Sequence, residues 1–333
     1  MKDFVLITGA YPPDVCGVGD YVGLLMNTQT GKKWEMYYSK DWRFNSILKH
    51  IKMLKTINAK YLVMQFPLRS SGWSLVPHLI CIYFSWFSSK CFGVVIHEQS
   101  QLSLKAYIAE VLILISANKL IFTTEYEQNY AIKRIPLIRK RSKIIKIYSN
   151  IKKPKIIKEI EKRNIDIVHF GLFWPNKGIE QFISDVTPLV DSFKVILAGK
   201  IPEGLEEYYA KLRKMCEKVK IEIRLNLDDN KISELLNDSK IAYLPFPDGA
   251  SERRGSMLAS MVNGAVVVTR VSKLTTETII NSVVNISKTS LMQILSDYDL
   301  LRKKQQAALE YVNTQMPKNA DEVASSYDDF MRL

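Results

Sequence analysis

A chain of 333 residues with 47% hydrophobic and 24% charged side chains holds enough apolar material for a large core and two domains, which excludes a disordered segment. The formal net charge of +13 is lopsided: residues 1–150 hold 20 Lys and Arg against 9 Asp and Glu, while residues 151–333 hold 27 against 25. Cys16, Cys81, Cys91 and Cys216 lack metal-type spacing, and no stretch offers the roughly 20 uninterrupted apolar residues of a spanning helix, so a zinc module and an integral membrane protein are set aside.

The first half alternates short apolar strands with helical stretches, the pattern of a parallel sheet covered on both faces. Phe4–Thr8 reads as a strand running into Gly9, not as the apolar core of a secretory signal, and points to a cytoplasmic protein with reduced thiols. It leads into Tyr11-Pro12-Pro13-Asp14-Val15-Cys16-Gly17-Val18-Gly19-Asp20-Tyr21, where Gly17 and Gly19 let backbone approach a ligand ahead of a helix. A third glycine is missing, so no nicotinamide site is read. Further strands are expected at Lys60–Gln65, Gly93–His97, Lys119–Thr123 and Lys143–Tyr148. His97 and Glu98 close one of them, and in open parallel sheets ligands bind beyond the carboxyl ends of strands. Trp73–Ser89 carries no charge but is interrupted by Pro77 and His78, and Tyr107–Ala117 carries Glu110. Both read as core helices, the first with interfacial contact as a secondary reading. Residues 133–158 contain 11 Lys and Arg and no acid, which fits a solvated face, an anionic bilayer surface or nucleic acid. Tyr148 is their only aromatic, so no base-stacking platform is present and no nucleic acid is expected.

Residues 150–164, Lys-rich and with Pro154, read as the linker between domain 1–150 and domain 151–316. The strand pattern restarts at Ile165–Phe170 and continues at Val195–Ala198, Glu222–Leu225, Ile241–Leu244 and Ala265–Thr269. Gly171 to Gly178 again reads strand, loop, helix, and places Lys177 beside a helix start as a point charge for a phosphate oxygen. Leu291–Tyr311 and Ala320–Arg332 read as closing helices, with residues 317–333 packing back on the N-terminal domain. The densest chemistry sits at Pro245-Phe246-Pro247-Asp248-Gly249-Ala250-Ser251-Glu252-Arg253-Arg254-Gly255-Ser256-Met257, which ends a strand and opens a helix stopping at Gly264. A helix N-terminus beside two guanidinium forks suits an anionic ligand. Glu252, an acceptor among donors, suits a ligand that also carries hydroxyls.

Together the Tyr11-Pro12-Pro13…Gly17-Val18-Gly19-Asp20-Tyr21 stretch, His97-Glu98, Gly171…Lys177-Gly178 and Ser251-Glu252-Arg253-Arg254-Gly255-Ser256…Gly264 resemble the retaining glycosyltransferases of family 4. The resemblance covers most of the chain. It implies a GT-B fold, an α/β architecture of two facing Rossmann-like domains with parallel sheets. It also implies a nucleotide-sugar donor held mainly by the C-terminal domain and a glycan or lipid-linked saccharide acceptor. In such a site Gly17, Val18 and Gly19 face the donor diphosphate and Lys177 neutralises it. Arg253 and Arg254 with the amides of Gly255, Ser256 and Met257 hold phosphate, Glu252 binds sugar hydroxyls, and His97 contacts the reacting sugar. Asp20 and Glu98 are further cleft candidates, and neither a metal nor a cofactor is expected. Two departures stand out. Leu172 occupies the place of an arginine common in the family, a loss that Arg253 or Arg254 is expected to offset, and Ala259 or Ser260 stands where a second glutamate would contact ribose.

Three other readings compete. A sugar-nucleotide epimerase shares the fold but needs more acid–base groups than a chain with four histidines offers. A catalytically silent GT-B partner subunit fits the two departures, and a basic nucleic-acid-binding protein fits residues 133–158 alone. The leading expectation is a retaining transferase in surface polysaccharide or glycolipid synthesis, cytoplasmic and peripheral on the inner membrane face through that basic segment.

Overall fold

A computed structural model describes residues 3–100 and 102–333, the side chain at position 69 excepted. The chain divides into two units, one of residues up to 147 together with 318–333 and one of residues 148–317.

In the first unit the elements are β1 (Phe4–Thr8), α1 (Gly17–Met26), β2 (Glu35–Tyr38), α2 (Ile47–Thr56), β3 (Tyr61–Phe66), α3 (Val76–Trp86), β4 (Cys91–Ile96), α4 (Leu104–Ser116), β5 (Lys119–Phe122), α5 (Glu125–Arg134) and β6 (Ser142–Ile144). All neighbouring strands pair in parallel, in the order β2-β1-β3-β4-β5-β6. Helices cover such a sheet on both faces, which is why β1 and β4 read as unbroken apolar runs instead of alternating ones. Phe4, Val5, Leu6 and Ile7 are all fully buried.

The second unit begins with β7 (Ile165–Leu172), α6 (Ile179–Val186), β8 (Val195–Lys200), α7 (Glu206–Val219), β9 (Glu222–Leu225) and α8 (Asp229–Asn237). It continues through β10 (Ser239–Leu244), α9 (Gly255–Val262), β11 (Val266–Thr269), α10 (Glu277–Ser282), β12 (Val284–Asn285), α11 (Leu291–Ser296) and α12 (Tyr298–Thr314). Its strands are also parallel, ordered β12-β11-β10-β7-β8-β9. The expected single helix Leu291–Tyr311 is two, because the Asp297 side chain accepts from the Leu300 amide and restarts the helix there. Residues 150–164, expected as a linker, are bound into this unit: Ile151 and Ile160 are buried, and Arg163 donates to the carbonyls of Lys158 and Ser239.

The last helix, α13 (Ala320–Arg332), returns to the first unit and packs on α1. Its apolar face, Val323, Ala324, Tyr327 and Phe330, is buried, and the Tyr327 and Tyr21 hydroxyls meet at 3.1 Å. Asp321 accepts from the Thr30 amide at 2.8 Å, and Arg332 clasps Asp3 with bonds of 2.9 and 3.1 Å. All four cysteines are free thiols. Among the described residues no helix is long and apolar enough to cross a membrane.

Truncating the buried Tyr327 should therefore loosen the whole first unit. Tyr327→Ala is expected to cost about 3–5 kcal/mol in urea unfolding. Tyr327→Phe, which removes only the hydroxyl partner of Tyr21, should cost about 1 kcal/mol. Equal unfolding midpoints for the two variants would contradict this packing.

Candidate active site

Where the strand order of an open parallel sheet reverses, two loops diverge and leave a crevice beyond the carboxyl ends of the strands. In the second unit the reversal lies between β7 and β10. The loops there touch: Gly178 holds φ +84°, and a Cβ on it would come 2.3 Å from the Pro245 carbonyl oxygen. Only glycine fits such a position. Lys177, half-buried, immediately precedes it, so its backbone stands against the β10–α9 loop. Gly171, at the end of β7, lies beside Ser256 in the first turn of α9, 3.8 Å from where its Cβ would be.

The β10–α9 loop is pinned along its length. The Ala250 amide donates to the Arg270 carbonyl at 2.8 Å, and the Ser272 hydroxyl donates to the Asp248 carbonyl at 2.7 Å. Thr275 Oγ1 donates to the Ala250 carbonyl, also at 2.7 Å. Held this way, the Asp248 carboxylate bridges Arg253, at 3.2 Å, and Arg254. Both arginine side chains are only 11% exposed, and the Arg254 guanidinium lies 4.7 Å from the centre of the Phe246 ring. Two neighbouring cations removed from water repel each other, and the carboxylate between them offsets that cost. The trio retains one net positive charge. Helix α9 starts directly after it, with no side-chain cap, so the amides of Gly255, Ser256 and Met257 open from its first turn. A Cβ at Gly255 would meet nothing within 4 Å. Amide donors, a partial positive dipole and a guanidinium pair thus stand next to one another, an arrangement able to receive an anion.

Glu252 lies inside the fold. It is 3% exposed, and its Oε1 lies 3.5 Å from the hydroxyl of Tyr311 on α12, a buried phenol whose pKa burial and Glu252 both push upward. The side chain thus links the segment just before α9 to α12. Arg253 and Arg254 both take Asp248 as a carboxylate partner. Ala259 and Ser260 are buried, and the Ser260 hydroxyl donates to the Ser256 carbonyl at 2.8 Å. Leu172, half-buried, ends β7.

In the first unit the reversal lies between β1 and β3. The loop after β1 is fixed by Asp14, which meets Lys40 and the Tyr38 hydroxyl at 2.6 Å each; both hold its carboxyl below the usual range. The two glycines of α1 differ. A Cβ at Gly19 would sit 3.1 Å from the Ala10 carbonyl carbon, so this glycine lets the helix pack on the loop, whereas Gly17 faces open space. Val18 and Asp20, in the same first turn, are half-buried.

His97, after β4, donates from Nε2 to Gln65 Oε1 at 2.7 Å, and its ring stands edge-on to Tyr21. Gln65 lies on β3 and is fully buried, so the imidazole is oriented from beneath. The next turn, which begins with Glu98, is stapled by Glu127 of α5. That carboxylate accepts from the amides of Gln99 and Ser100, at 3.2 and 2.8 Å, and from the Ser100 hydroxyl at 2.8 Å. Glu110 of α4 is fully buried near Glu127 and Glu98, and neither of its oxygens finds a hydrogen-bond partner among the described residues. Desolvation first, then those two carboxylates, push its pKa up to about 9. Among the described residues no group of three or more His, Cys, Asp or Glu is placed to hold a metal ion.

Sequence reasoning missed Asp248, Gln65, Glu127 and Tyr311. Only Asp248 carried a local signal, and Asp-Gly after a proline registers as a turn, not as a partner for two cations.

No protein-family model matches the sequence, and a search of curated proteins finds no match. Solved structures do match. Over 100% of both chains the structure is similar to HepE of Anabaena in complex with UDP and glucose, with a TM-score of 0.73 at 11% identity. A glycosyltransferase from Rickettsia africae matches with a TM-score of 0.67 at 13% identity, over 99% of this chain and 98% of that one. A UDP co-structure of MnaA from S. aureus matches with a TM-score of 0.63 at 12% identity, over 100% and 96%. The chain has the GT-B fold, with a six-stranded parallel sheet in each unit.

The buried Glu110 makes stability depend on pH. Its carboxyl ionises near 4.5 when unfolded and near 9 in the fold, so the folded state binds the extra proton between those values. Stability from this group is complete below 4.5 and is lost as the pH rises toward 9. Glu110→Gln should therefore change unfolding free energy little at pH 5 and raise it by about 3 kcal/mol at pH 7. A constant difference across pH in urea unfolding would show that this carboxyl is not held neutral.

Proposed function

We propose that this chain is a retaining glycosyltransferase that moves a sugar from a nucleoside-diphosphate donor to a glycan or lipid-linked saccharide, in the synthesis of a surface polysaccharide or glycolipid. One observation carries the reading: the open N-terminus of α9, flanked by the Arg253–Asp248–Arg254 trio, stands at the strand reversal beside Gly171. That is a place for the donor diphosphate. HepE and MnaA were both captured with UDP, the former with glucose as well, which favours a uridine donor.

In this reading residues 148–317 bind the donor and the first unit takes the acceptor. The bond from the anomeric carbon to the diphosphate breaks while the acceptor oxygen bonds that carbon from the same face. The acceptor proton passes to the departing phosphate oxygen, so the anomeric configuration is kept and no protein base is needed. What the chain supplies is charge aimed at the leaving group: Lys177, the net positive arginine trio and the amides of Gly255, Ser256 and Met257. In the first unit Gln65 fixes the orientation of the His97 ring at the carboxyl end of the sheet. Glu252 supports the helix start through Tyr311.

The test is a thermal-shift series with UDP, GDP, ADP and their glucose conjugates, followed by donor turnover. One nucleotide should raise Tm in a concentration-dependent way. Lys177→Ala should then lower turnover by about 10²-fold or more with Tm unchanged. Arg254→Lys, which keeps charge but loses the fork, should weaken donor binding. Absence of any nucleotide-dependent shift, or full turnover by Lys177→Ala, would overturn the reading.

A further inference from the structure

Helix α4 does not look like a surface helix of a protein that meets only water. Its outward face carries Leu104, Ile108, Leu112 and Ile115, at 75, 61, 36 and 42% exposure, with Lys105 as its one exposed charge. Spacings of four, four and three residues place these side chains in one stripe along the helix. Outward faces in the same fold that meet water read differently: α7 and α13 alternate Glu, Asp, Lys and Arg there.

Two further elements converge on the same helix. The Asn118 amide, just past α4, donates to the Ser85 carbonyl at 3.3 Å, which brings up the end of α3 with Trp86 and Phe87, 57 and 70% exposed. Arg141 donates to the carbonyls of Leu114 and Ile115 at 2.8 and 2.9 Å. That bond ties the turn at Pro136–Arg141 to α4 and sets Leu137, 86% exposed, beside it. Lys133, Arg134, Arg139 and Lys140 surround Leu137 in sequence and are all exposed, and no acid occurs between residues 133 and 158.

We infer that this face of the first unit docks on an anionic lipid bilayer, with the α4 stripe, Trp86, Phe87 and Leu137 in the interface and the basic turn on the headgroups. An amphipathic helix with an apolar face and cationic neighbours lies in the plane of such a surface. Each basic residue near it strengthens binding about fivefold. The charge also decides against a second copy of the chain. A second copy of the chain would cover the apolar stripe but brings an equally basic first unit, with no acidic partner for the Lys and Arg of the turn. Nucleic acid would satisfy the cations and leave the aliphatic stripe in water. Within the basic segment Ile138 and Ile145 are buried in the core and take no part in this face. The inference is independent of the donor chemistry.

Co-sedimentation of the full chain tests it, with phosphatidylglycerol–phosphatidylcholine vesicles against pure phosphatidylcholine. Binding is expected to the anionic vesicles only, and to fall on raising salt from 0.1 to about 0.5 M. Ile108→Glu and, separately, Leu112→Ser should each weaken it at least tenfold while circular dichroism shows the fold retained. Replacing Lys133, Arg134, Arg139 and Lys140 by Gln should do the same. Equal binding to both vesicle types, binding to neither, or full binding by the folded Ile108→Glu and Leu112→Ser variants would overturn the proposal. So would a lipid-free dimer that Ile108→Glu dissociates, because the stripe would then be a self-contact.

Discussion

Parallel pairing of every strand is the constraint from which the rest of each unit follows. Parallel neighbours cannot be joined by a tight turn, so a helix must return the chain to the starting edge after each strand. All carboxyl ends then lie along one edge of the sheet. Chemistry collects at that edge without any other instruction: Gly17 to Asp20 follow β1, His97 and Glu98 follow β4, Gly171 to Lys177 end or follow β7, and Asp248 to Met257 follow β10. The reversal of strand order then selects one gap along the edge in each unit, because only there do adjacent loops turn in opposite directions.

Within the second unit the cost of this arrangement is electrostatic. A guanidinium pair next to a positive helix end is unstable unless something negative sits with it. Asp248 meets that need from inside the same loop, and the loop is in turn anchored to the segment after β11 through Ser272 and Thr275. The geometry is preorganised by neutral hydrogen bonds that a bound anion does not have to rearrange. In the first unit the corresponding device is buried polarity: Gln65 under His97, and Glu127 threaded by the amides of the following turn.

The central strands were legible because strands buried on both faces are simply apolar runs, as at Phe4–Thr8 and Ile241–Leu244. Edge strands were legible unevenly: β9 coincides with the expected Glu222–Leu225 and β6 overlaps the start of Lys143–Tyr148, but the other two edges went unread. β2, Glu35-Met36-Tyr37-Tyr38, has only Tyr37 buried, and β12 is two residues long, so neither breaks from the background of a polar surface. The Lys-rich stretch 150–164 misled because composition reports the outward side chains, while Ile151, Ile160 and Arg163 decide where it packs. For the site, residue types and their strand-end placement were visible, but partnerships were not. His97 meets Gln65 from 32 residues away and Glu252 meets Tyr311 from 59 away, and no local pattern encodes such distances. Glycines were half legible. Their spacing marked the loops, yet only coordinates separate Gly19, spent on helix packing, from Gly17, which faces open space.

The return of α13 to the first unit has a consequence for the order in which the molecule is made. Domains generally fold as they leave the ribosome, the N-terminal one first. Here the first unit lacks a wall until residues 320–332 have been synthesised, after the whole of residues 148–317. Until then the groove that receives Tyr327 and Phe330 is open, and Tyr21 lacks the hydroxyl it meets in the complete fold. The later-synthesised unit is contiguous and can close first. The second unit can thus be completed before the first, and a nascent molecule stalled near residue 317 would hold every residue of the second unit but not of the first.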